Sequence, residues 1–307
     1  MPCPRRPVKS VEQRTQVNVM FREAKTGWIF VLPAFLLLCL FKITPIVVSF
    51  AESLQFTGIT GEKSFVGLEN YLFLFTDDPV FWNSVKVTLV YSLIVNPAIV
   101  ITALILAMLV NVRNKFAVFF RTLYFIPAAI SFAVVSVIWG VVLDPYYGLA
   151  NGFLALVRIP PQPFFASSGQ ALPSLVFLIL WRSAGYWMIF FLAGLQGIPK
   201  EVYEAAEIDG VTYLQRTFRI TIPLLSRTIS FVLVTNTALN FLTFAPVYIL
   251  TNGGPCGATN ILMYESYKSA FVNLDLGRAT AISSVLLLII LLFSAVELKL
   301  TRASFEY

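Results

Sequence analysis

Long apolar runs alternate with short polar stretches along the whole chain. Six runs approach or exceed the roughly 20 residues that a helix needs to cross a bilayer. They cover residues 27–50, 84–111, 121–143, 173–195, 222–250 and 279–298. Within them apolar residues follow one another without the strict alternation of barrel strands, and a helix satisfies its own backbone hydrogen bonds where water is absent. The pattern predicts an all-α polytopic membrane protein with six transmembrane helices.

Composition and charge support this fold class and give an orientation. The chain is 58% hydrophobic and 12% charged, with a mean hydropathy of +0.80, whereas soluble domains carry about 25% charged residues. Basic residues gather at the N-terminus, in the second and fourth loops and in the tail, so the positive-inside rule predicts that both termini are cytoplasmic. They are Arg5, Arg6, Lys9, Arg14, Arg22, Lys25, Arg113, Lys115, Arg121, Lys200, Arg216, Arg219, Arg227, Lys299 and Arg302.

The same pattern gives the domain organisation. We expect a cytoplasmic basic arm at residues 1–26, a six-helix transmembrane domain at residues 27–302 with a cytoplasmic loop at residues 199–223, and a cytoplasmic tail at residues 303–307. This asymmetry, together with attraction to anionic membrane lipid, accounts for the net charge of +6. No nucleic-acid partner is therefore expected.

The chain lacks the residues that most catalytic and metal sites use. It has no histidine, and Cys3, Cys39 and Cys256 are far apart without metal-ligand spacing. Residues 58–64 look like a phosphate-binding loop but fail its spacing. We therefore expect no catalytic residue, no metal site and no cofactor on this chain. Any ATP that drives it would be bound by another polypeptide.

One polar segment, residues 199–223, is patterned like a helix, a turn and a second helix. Pro199 suits a helix start, and Glu204 lies early in that helix, where the dipole favours a carboxylate. Ala205 and Ala206 form a small face, and Gly210 permits a left-handed turn that ends the helix. On local physics alone, a docking surface and a surface-lying connector without a partner are equally good interpretations.

The order of residues in this segment resembles a known motif. Glu204-Ala205-Ala206, Gly210 and Ile220-Thr221-Ile222-Pro223 resemble the EAA loop of ABC-importer permeases, and Asp209, Gln215 and Phe218 resemble its carbohydrate-uptake version. Ile222 departs conservatively from the usual leucine. Four further stretches look like that subfamily in its order, so that the resemblance covers roughly residues 28–302: they are residues 65–71, 121–127, 250–255 and 277–283.

The resemblance implies a type I ABC importer permease fold and a function. The chain would be the permease subunit that translocates a carbohydrate or related polyol across the cytoplasmic (inner) membrane of a prokaryote by alternating access. Its partners would be a second homologous permease, two ATPase subunits carrying ATP and Mg, and an extracytoplasmic solute-binding protein. The resemblance makes Glu204 the electrostatic anchor, Ala205 and Ala206 the contact surface, and Gly210 the turn, with Asp209 and Pro223 in the same ATPase-coupling set.

Polar residues within the spans are candidates for the substrate path. Arg182 lies midway along the fourth span beside Trp181 and Tyr186, where a charge costs about 3 kcal/mol or more unless it faces protein or water. Asn96, Asn236 and Asn240 are the polar candidates of the second and fifth spans. For all of them a structural role, pairing with carbonyls or hydrogen-bonding between helices, competes with substrate contact.

Other functions remain as alternatives. An ion-coupled secondary transporter usually needs carboxylates within the membrane, whereas Glu52, Asp144 and Glu297 lie at span ends. A membrane enzyme is disfavoured because no nucleophile–base cluster is evident. A non-transporting membrane scaffold is compatible with the sequence.

Overall fold

The computed structural model describes residues 28, 30–57, 62–112 and 114–301. The predicted basic arm (residues 1–26) and cytoplasmic tail (residues 303–307) lie outside the described residues. The chain divides into two compact units, one up to Glu52 and the other from Ser53 onward.

The first unit holds most of helix α1, which spans Phe30–Ser53. One turn, Cys39–Ile43, is π-helical. The Cys39 carbonyl there accepts the backbone N–H of Thr44 and also its hydroxyl, at 2.9 Å. The first span thus ends three residues later than its predicted bound.

The second unit opens with a small hairpin and a long helix. Strands β1 (Gln55–Thr57) and β2 (Lys63–Phe65) pair antiparallel, and helix α2 covers Glu69–Thr76. Helix α3, Pro79–Leu109, begins where the Asp78 carboxylate accepts the Phe81 N–H at 2.9 Å. This cap and the proline at the first helical position explain why α3 starts ahead of the predicted second span.

The core of this unit lies between α3 and helix α7, Ala171–Gln196. Tyr91 and Ile99 on α3 and Leu178 and Phe191 on α7 are fully buried in one cluster. The spacing of polar residues does not predict which side chains are buried here, because both helices are apolar on most of their surface. These two helices make the most extensive helix–helix contact in this unit.

The third predicted span is broken into two helices. Helix α4 covers Lys115–Ala129 and helix α5 covers Phe132–Val142, and the two helices are bent by 99° relative to each other. The expectation of a single span at residues 121–143 is therefore corrected to this bent pair. Pro127 lacks the N–H that would continue the ladder. Ser131 then starts α5 by accepting the Val134 N–H at 3.3 Å. Helix α6, Leu149–Leu156, and a 3₁₀ turn, Phe164–Ala166, lead on to α7.

The fifth predicted span is also broken. Helix α8, Lys200–Ile208, and helix α9, Tyr213–Leu224, form the polar segment, and a bend of 68° separates α9 from helix α10, Ser226–Phe241. Helix α11, Ala245–Leu250, is separate. The expectation of one span over residues 222–250 is therefore wrong at both ends. The second break, at residues 242–244, lies in mostly apolar sequence, so hydropathy does not reveal it.

The last two helices are tied to the start of α3 by a buried ion cluster. Helix α12 covers Leu262–Phe271, and helix α13 covers Leu276–Leu300. The Arg278 guanidinium contacts Asp78 at 2.6 Å and Glu265 at 2.8 Å. Both carboxylates are buried, and the free-energy cost of removing them from water is offset by ion pairing and hydrogen bonds. Helices α3, α12 and α13 therefore meet at one arginine.

The six predicted spans correspond to four single helices and two bent pairs. Phe30–Ser53, α3, α7 and α13 are each long and apolar enough to cross a membrane, and the α4–α5 and α9–α10 pairs supply the other two if each counts as one span. The predicted all-α, multi-pass fold class is confirmed. The cytoplasmic placement of both termini stays a prediction.

Candidate functional site: a central cavity and a polar hairpin

A cavity of about 500 Å³ lies where the two broken spans approach α7. Its walls come from the α4–α5 break, the middle of α7, the end of α10 and the start of α11. Arg182, Tyr186, Asn236 and Asn240, all predicted for the substrate path, line it together. Of the two bends, only the one between α4 and α5 borders the cavity, together with the gap between α10 and α11.

Arg182 stabilises the break in the third span. Its Nε donates to the Ile130 carbonyl at 3.1 Å, and its Nη2 donates to the Ala128 carbonyl at 3.3 Å. Its guanidinium lies 3.8 Å from the ring centroid of Phe132, a cation–π contact. The carbonyls left unpaired by the bend thus receive donors from a neighbouring helix. The structural role that competed with substrate contact is present, and the same side chain also borders the cavity.

Asn96 orients two of the cavity residues from behind. Its Oδ1 accepts from Asn236 Nδ2 at 2.9 Å and from Asn240 Nδ2 at 2.7 Å, while its own Nδ2 donates to Ser92 Oγ at 2.8 Å. Asn96 is 3% exposed and does not line the cavity. This amide cluster, Asn96, Asn236 and Asn240, joins α3 to α10 and fixes which way the two lining amides point.

Trp181 does not line the cavity, in contrast to its predicted place on the substrate path. Its ring packs edge-on against Trp139, with centroids 5.4 Å apart. Phe132, Ser183 and Thr243 line the cavity but were missed from the sequence. The adjacency of Ser183 to Arg182 was a usable signal. Phe132 gave none, because phenylalanine is abundant throughout this chain.

The polar segment folds as a hairpin of two helices, α8 and α9, whose turn is fixed by backbone bonds. Gly210 has φ +69°, the Gly210 N–H donates to the Glu207 carbonyl at 3.1 Å, and the Val211 N–H donates to the Ala206 carbonyl at 3.0 Å. These two bonds form a Schellman motif, which requires a left-handed residue such as glycine. The predicted helix stop at Gly210 is thus found.

The second helix begins with a capping box. The Thr212 side chain accepts the Gln215 N–H, and the Gln215 side chain accepts the Thr212 N–H at 3.0 Å. Gln215 therefore has a local structural role in addition to its place in the resemblance. Sequence reasoning overlooked the T-x-x-Q signature, although it was readable.

Arg216 joins the two helices of the hairpin. Its Nη1 lies 3.2 Å from Glu207 Oε1. Its guanidinium lies 5.6 Å from the ring centroid of Tyr203 and 5.4 Å from that of Tyr213. One side chain on α9 therefore contacts both helices. This clamp was not predicted, because it depends on the angle between α8 and α9.

The hairpin presents a mixed surface. Glu204 and Ala205 are exposed, whereas Ala206 is only 4% exposed and packs within this chain. Of the two predicted contact alanines, only Ala205 is on the surface. Asp209 caps the end of α8, and half-buried Pro223 lies in the last turn of α9.

Three large apolar side chains are also exposed on the hairpin. Ile208 is 86% exposed, Leu214 66% and Phe218 67%. Exposed large apolar side chains on a polar segment are typical of interaction surfaces. The exposure of Ile208, Leu214 and Phe218, called the apolar patch below, was not predicted from the sequence.

The chain matches known transport proteins over most of its length. Residues 98–302 match the family described as "Binding-protein-dependent transport system inner membrane component". A probable ABC transporter permease protein, YurN of Bacillus subtilis (strain 168), is 35% identical over 91% of this chain and 97% of its own length. The sn-glycerol-3-phosphate transport system permease protein UgpA of Escherichia coli (strain UTI89 / UPEC) is 33% identical over 94% of this chain and 98% of its own length.

Solved structures show the same fold. A chain of a bacterial ABC transporter involved in the import of the acidic polysaccharide alginate superimposes with a TM-score of 0.78 at 21% identity, covering 94% of this chain and 99% of that chain. A second structure is of a bacterial alginate ABC transporter in complex with alginate pentasaccharide-bound periplasmic protein. It gives a TM-score of 0.80 at 21% identity and covers 92% of this chain and 96% of that chain. The fold expected from the resemblance is confirmed.

These matches decide the class of the protein. The family consists of membrane transport components, so the chain is a transport subunit and not an enzyme, and its apolar helices make it a multi-pass membrane protein. The resemblance drawn from the EAA-like segment is likewise confirmed. The chain belongs to the family of inner membrane components of binding-protein-dependent transport systems.

Proposed function

We propose that this subunit imports a carbohydrate or related polyol across a prokaryotic cytoplasmic membrane through the central cavity. The observation that carries this proposal is the convergence of Arg182, Tyr186, Asn236 and Asn240 around about 500 Å³. Ligand sites commonly have volumes of about 300–1,000 Å³ and a few convergent polar groups. The permease role follows from the family, and the hydroxyl-rich solute is the step that we add.

The chemistry of the lining suits hydroxyl groups. The Nδ2 atoms of Asn236 and Asn240 donate to Asn96, which leaves their Oδ1 atoms as acceptors for a solute. The Nε and Nη2 atoms of Arg182 donate to backbone carbonyls, so Nη1 remains as a donor for a solute. Phe132 and Phe244 also line the cavity and offer apolar ring faces. Acceptors, a donor and aromatic faces together match a sugar or polyol.

The relatives support the same solute class without fixing its identity. UgpA is named for sn-glycerol-3-phosphate, a phosphorylated polyol, and the structural neighbours come from transporters of alginate, a polysaccharide. An arginine at the cavity is compatible with an anionic or a neutral hydroxylated solute. We expect the binding protein to make much of the selection.

We further propose the partners and the route of energy. A second homologous permease completes the path, and a binding protein delivers solute from outside. Two ATPase subunits holding ATP and Mg dock from the cytoplasm, one of them on this hairpin and the other on the second permease. Glu204 would anchor the hairpin electrostatically, and Ala205 with the apolar patch Ile208, Leu214 and Phe218 would fill the ATPase groove. Work reaches the cavity because the hairpin binds the two states of the ATPase pair with different free energies.

Reconstitution of the complete transporter tests this function. We compare the unaltered chain with Glu204→Ala and with Glu201→Ala, a matched loss of an exposed carboxylate on the same helix. Removing one partner of a buried charge pair costs about 2–5 kcal/mol. We expect Glu204→Ala to weaken ATPase docking at least about 30-fold and to abolish ATP-driven uptake, whereas Glu201→Ala retains both.

Three outcomes would contradict the proposal. Uptake driven by an ion gradient without the ATPase would indicate a secondary transporter. Absence of any solute uptake by a correctly assembled complex would indicate a scaffold. Equal docking by Glu204→Ala and Glu201→Ala would reject the assigned anchor.

A further inference from the structure

A second and larger cavity, of about 860 Å³, lies at the base of the hairpin and has no place in the transport cycle described above. It is bounded by the turn between α3 and α4, by the end of α7 and by the start of α8. Among the described residues, the cationic lining residues are Lys115, Arg121 and Lys200, and none of the lining residues is a carboxylate. The cavity is therefore suited to an anion.

Arg121 shapes the rim of this basic cavity. Its Nη2 donates to the Val110 carbonyl at 2.7 Å and to the Val112 carbonyl at 3.3 Å, and its Nε also contacts Val110 at 3.2 Å. These carbonyls close the C-terminal end of α3, where donors are needed. Arg121 thereby fixes the turn that carries Lys115, while most of its hydrogen-bonding capacity is used.

Lys115 and Lys200 supply the remaining positive charge. Each is exposed and is the first residue of its helix, α4 or α8. Within the described part of the chain, neither has an ion-pair partner. The positive ends of the two helix dipoles add to the same potential. Asn111, Gln196 and Tyr203 provide further polar groups around the cavity.

The surroundings favour a lipid over a small soluble anion. Val112, Val118, Leu195 and Ile198 form apolar parts of the lining. Beside it, Phe116 on the first turn of α4 is 75% exposed. A phospholipid matches this order of surfaces, because its phosphate suits the basic surface, its glycerol the mixed surface and its acyl chains the apolar surface. Basic pockets between membrane helices on the cytoplasmic side bind anionic head groups in this way.

We propose that the basic cavity holds the head group of an anionic phospholipid of the cytoplasmic leaflet. The leaflet depends on the orientation adopted under the proposed function, whereas binding of the phosphate does not. The lipid would neutralise the charges at the junction between the membrane helices and the hairpin. Occupancy would then set how firmly the base of α8 is held while the hairpin transmits work.

Lipid binding is measured on the assembled transporter after removal of native lipid. The probe is photoactivatable phosphatidylglycerol, with phosphatidylcholine of the same chains as comparison, and cross-linked peptides are mapped. The variants are Lys115→Gln and Lys299→Gln, the latter removing an exposed lysine from the last turn of α13. Each basic group near an anionic surface contributes about 1 kcal/mol, or roughly fivefold in affinity.

We expect phosphatidylglycerol to label peptides around residues 111–118 and 195–203 and phosphatidylcholine to label them weakly. Lys115→Gln should weaken labelling about fivefold, and Lys299→Gln should leave it unchanged. Equal labelling of the two lysine variants would overturn the proposal. So would competition by millimolar inorganic phosphate, which would indicate a small-anion site. Labelling that occurs only after the ATPase is removed would assign the cavity to a protein partner. None of these outcomes depends on solute uptake.

Discussion

Replacement of Gly185 by alanine should destabilise the protein through a single close approach of two helices. An added Cβ would overlap the carbonyl oxygen of Tyr124 on α4 and would lie 2.5 Å from that carbonyl carbon and 3.1 Å from the Phe125 nitrogen. These are backbone atoms, so no rotamer change relieves the overlap. The α4 and α7 backbones must separate, immediately before the break that shapes the central cavity.

The expected magnitude follows from two opposing contributions. Overpacking a close contact costs typically about 1–3 kcal/mol, and a clash with backbone belongs at or beyond the upper end of that range. Alanine regains up to about 1 kcal/mol over glycine within a helix. The net loss is about 2 kcal/mol, which corresponds to roughly a 30-fold change in the folded-to-unfolded ratio.

Gly152→Ala is the matched control. An added Cβ at Gly152, within α6, meets no atom within 4 Å, so this variant should be as stable as the unaltered protein or more stable. Unfolding in mixed detergent micelles, followed by the fluorescence of the five tryptophans, measures both variants. Equal stability of Gly185→Ala and Gly152→Ala would refute the assigned close approach of α4 and α7.

Substitutions at three other positions test the hairpin and the amide cluster. Arg216→Ala removes one partly exposed ion pair and two ring contacts, together about 1–2 kcal/mol, so hydrogen exchange of α8 amides should accelerate about 5–30-fold; unchanged exchange would exclude the clamp. Gly210→Ala should lower thermal stability by about 1–2 kcal/mol, because alanine must adopt φ +69°, whereas Gly210→Asn should lose less. Asn96→Ala leaves the Asn236 and Asn240 amides without their acceptor and should cost about 1–3 kcal/mol; it should also weaken solute binding measured by titration, and unaltered affinity would show that Asn96 does not orient the cavity.

Sequence patterns predicted the helices but not their interruptions. Continuous apolar runs are visible without knowledge of neighbours, so the spans were found. The break beside Pro127 lies inside apolar sequence, where averaged hydropathy does not change. It is possible because another helix supplies the missing donors, as Arg182 does for Ala128 and Ile130. Such compensation is a tertiary property that a single run of residues cannot reveal.

The sequence predicted some features of the candidate sites and not others. Gly210 was recognised from chain-local chemistry, since a left-handed turn between two helices favours glycine. The shared cavity of Arg182, Asn236 and Asn240 could be suspected only as separate polar residues, because their meeting depends on helix packing. The burial of Ala206 and the contacts of Arg216 both follow from the angle between α8 and α9, which no local signal encodes.

The arginine that joins α3, α12 and α13 has a mechanical consequence. Asp78 and Glu265 share the Arg278 guanidinium at 2.6 and 2.8 Å, so shearing this corner would strand charge in a place that water does not reach. We therefore expect motion to occur at the interrupted helices rather than at this corner. Stiffness at one end and compliance in the middle would let a push on the hairpin change the shape of the cavity while the corner at Arg278 keeps its form.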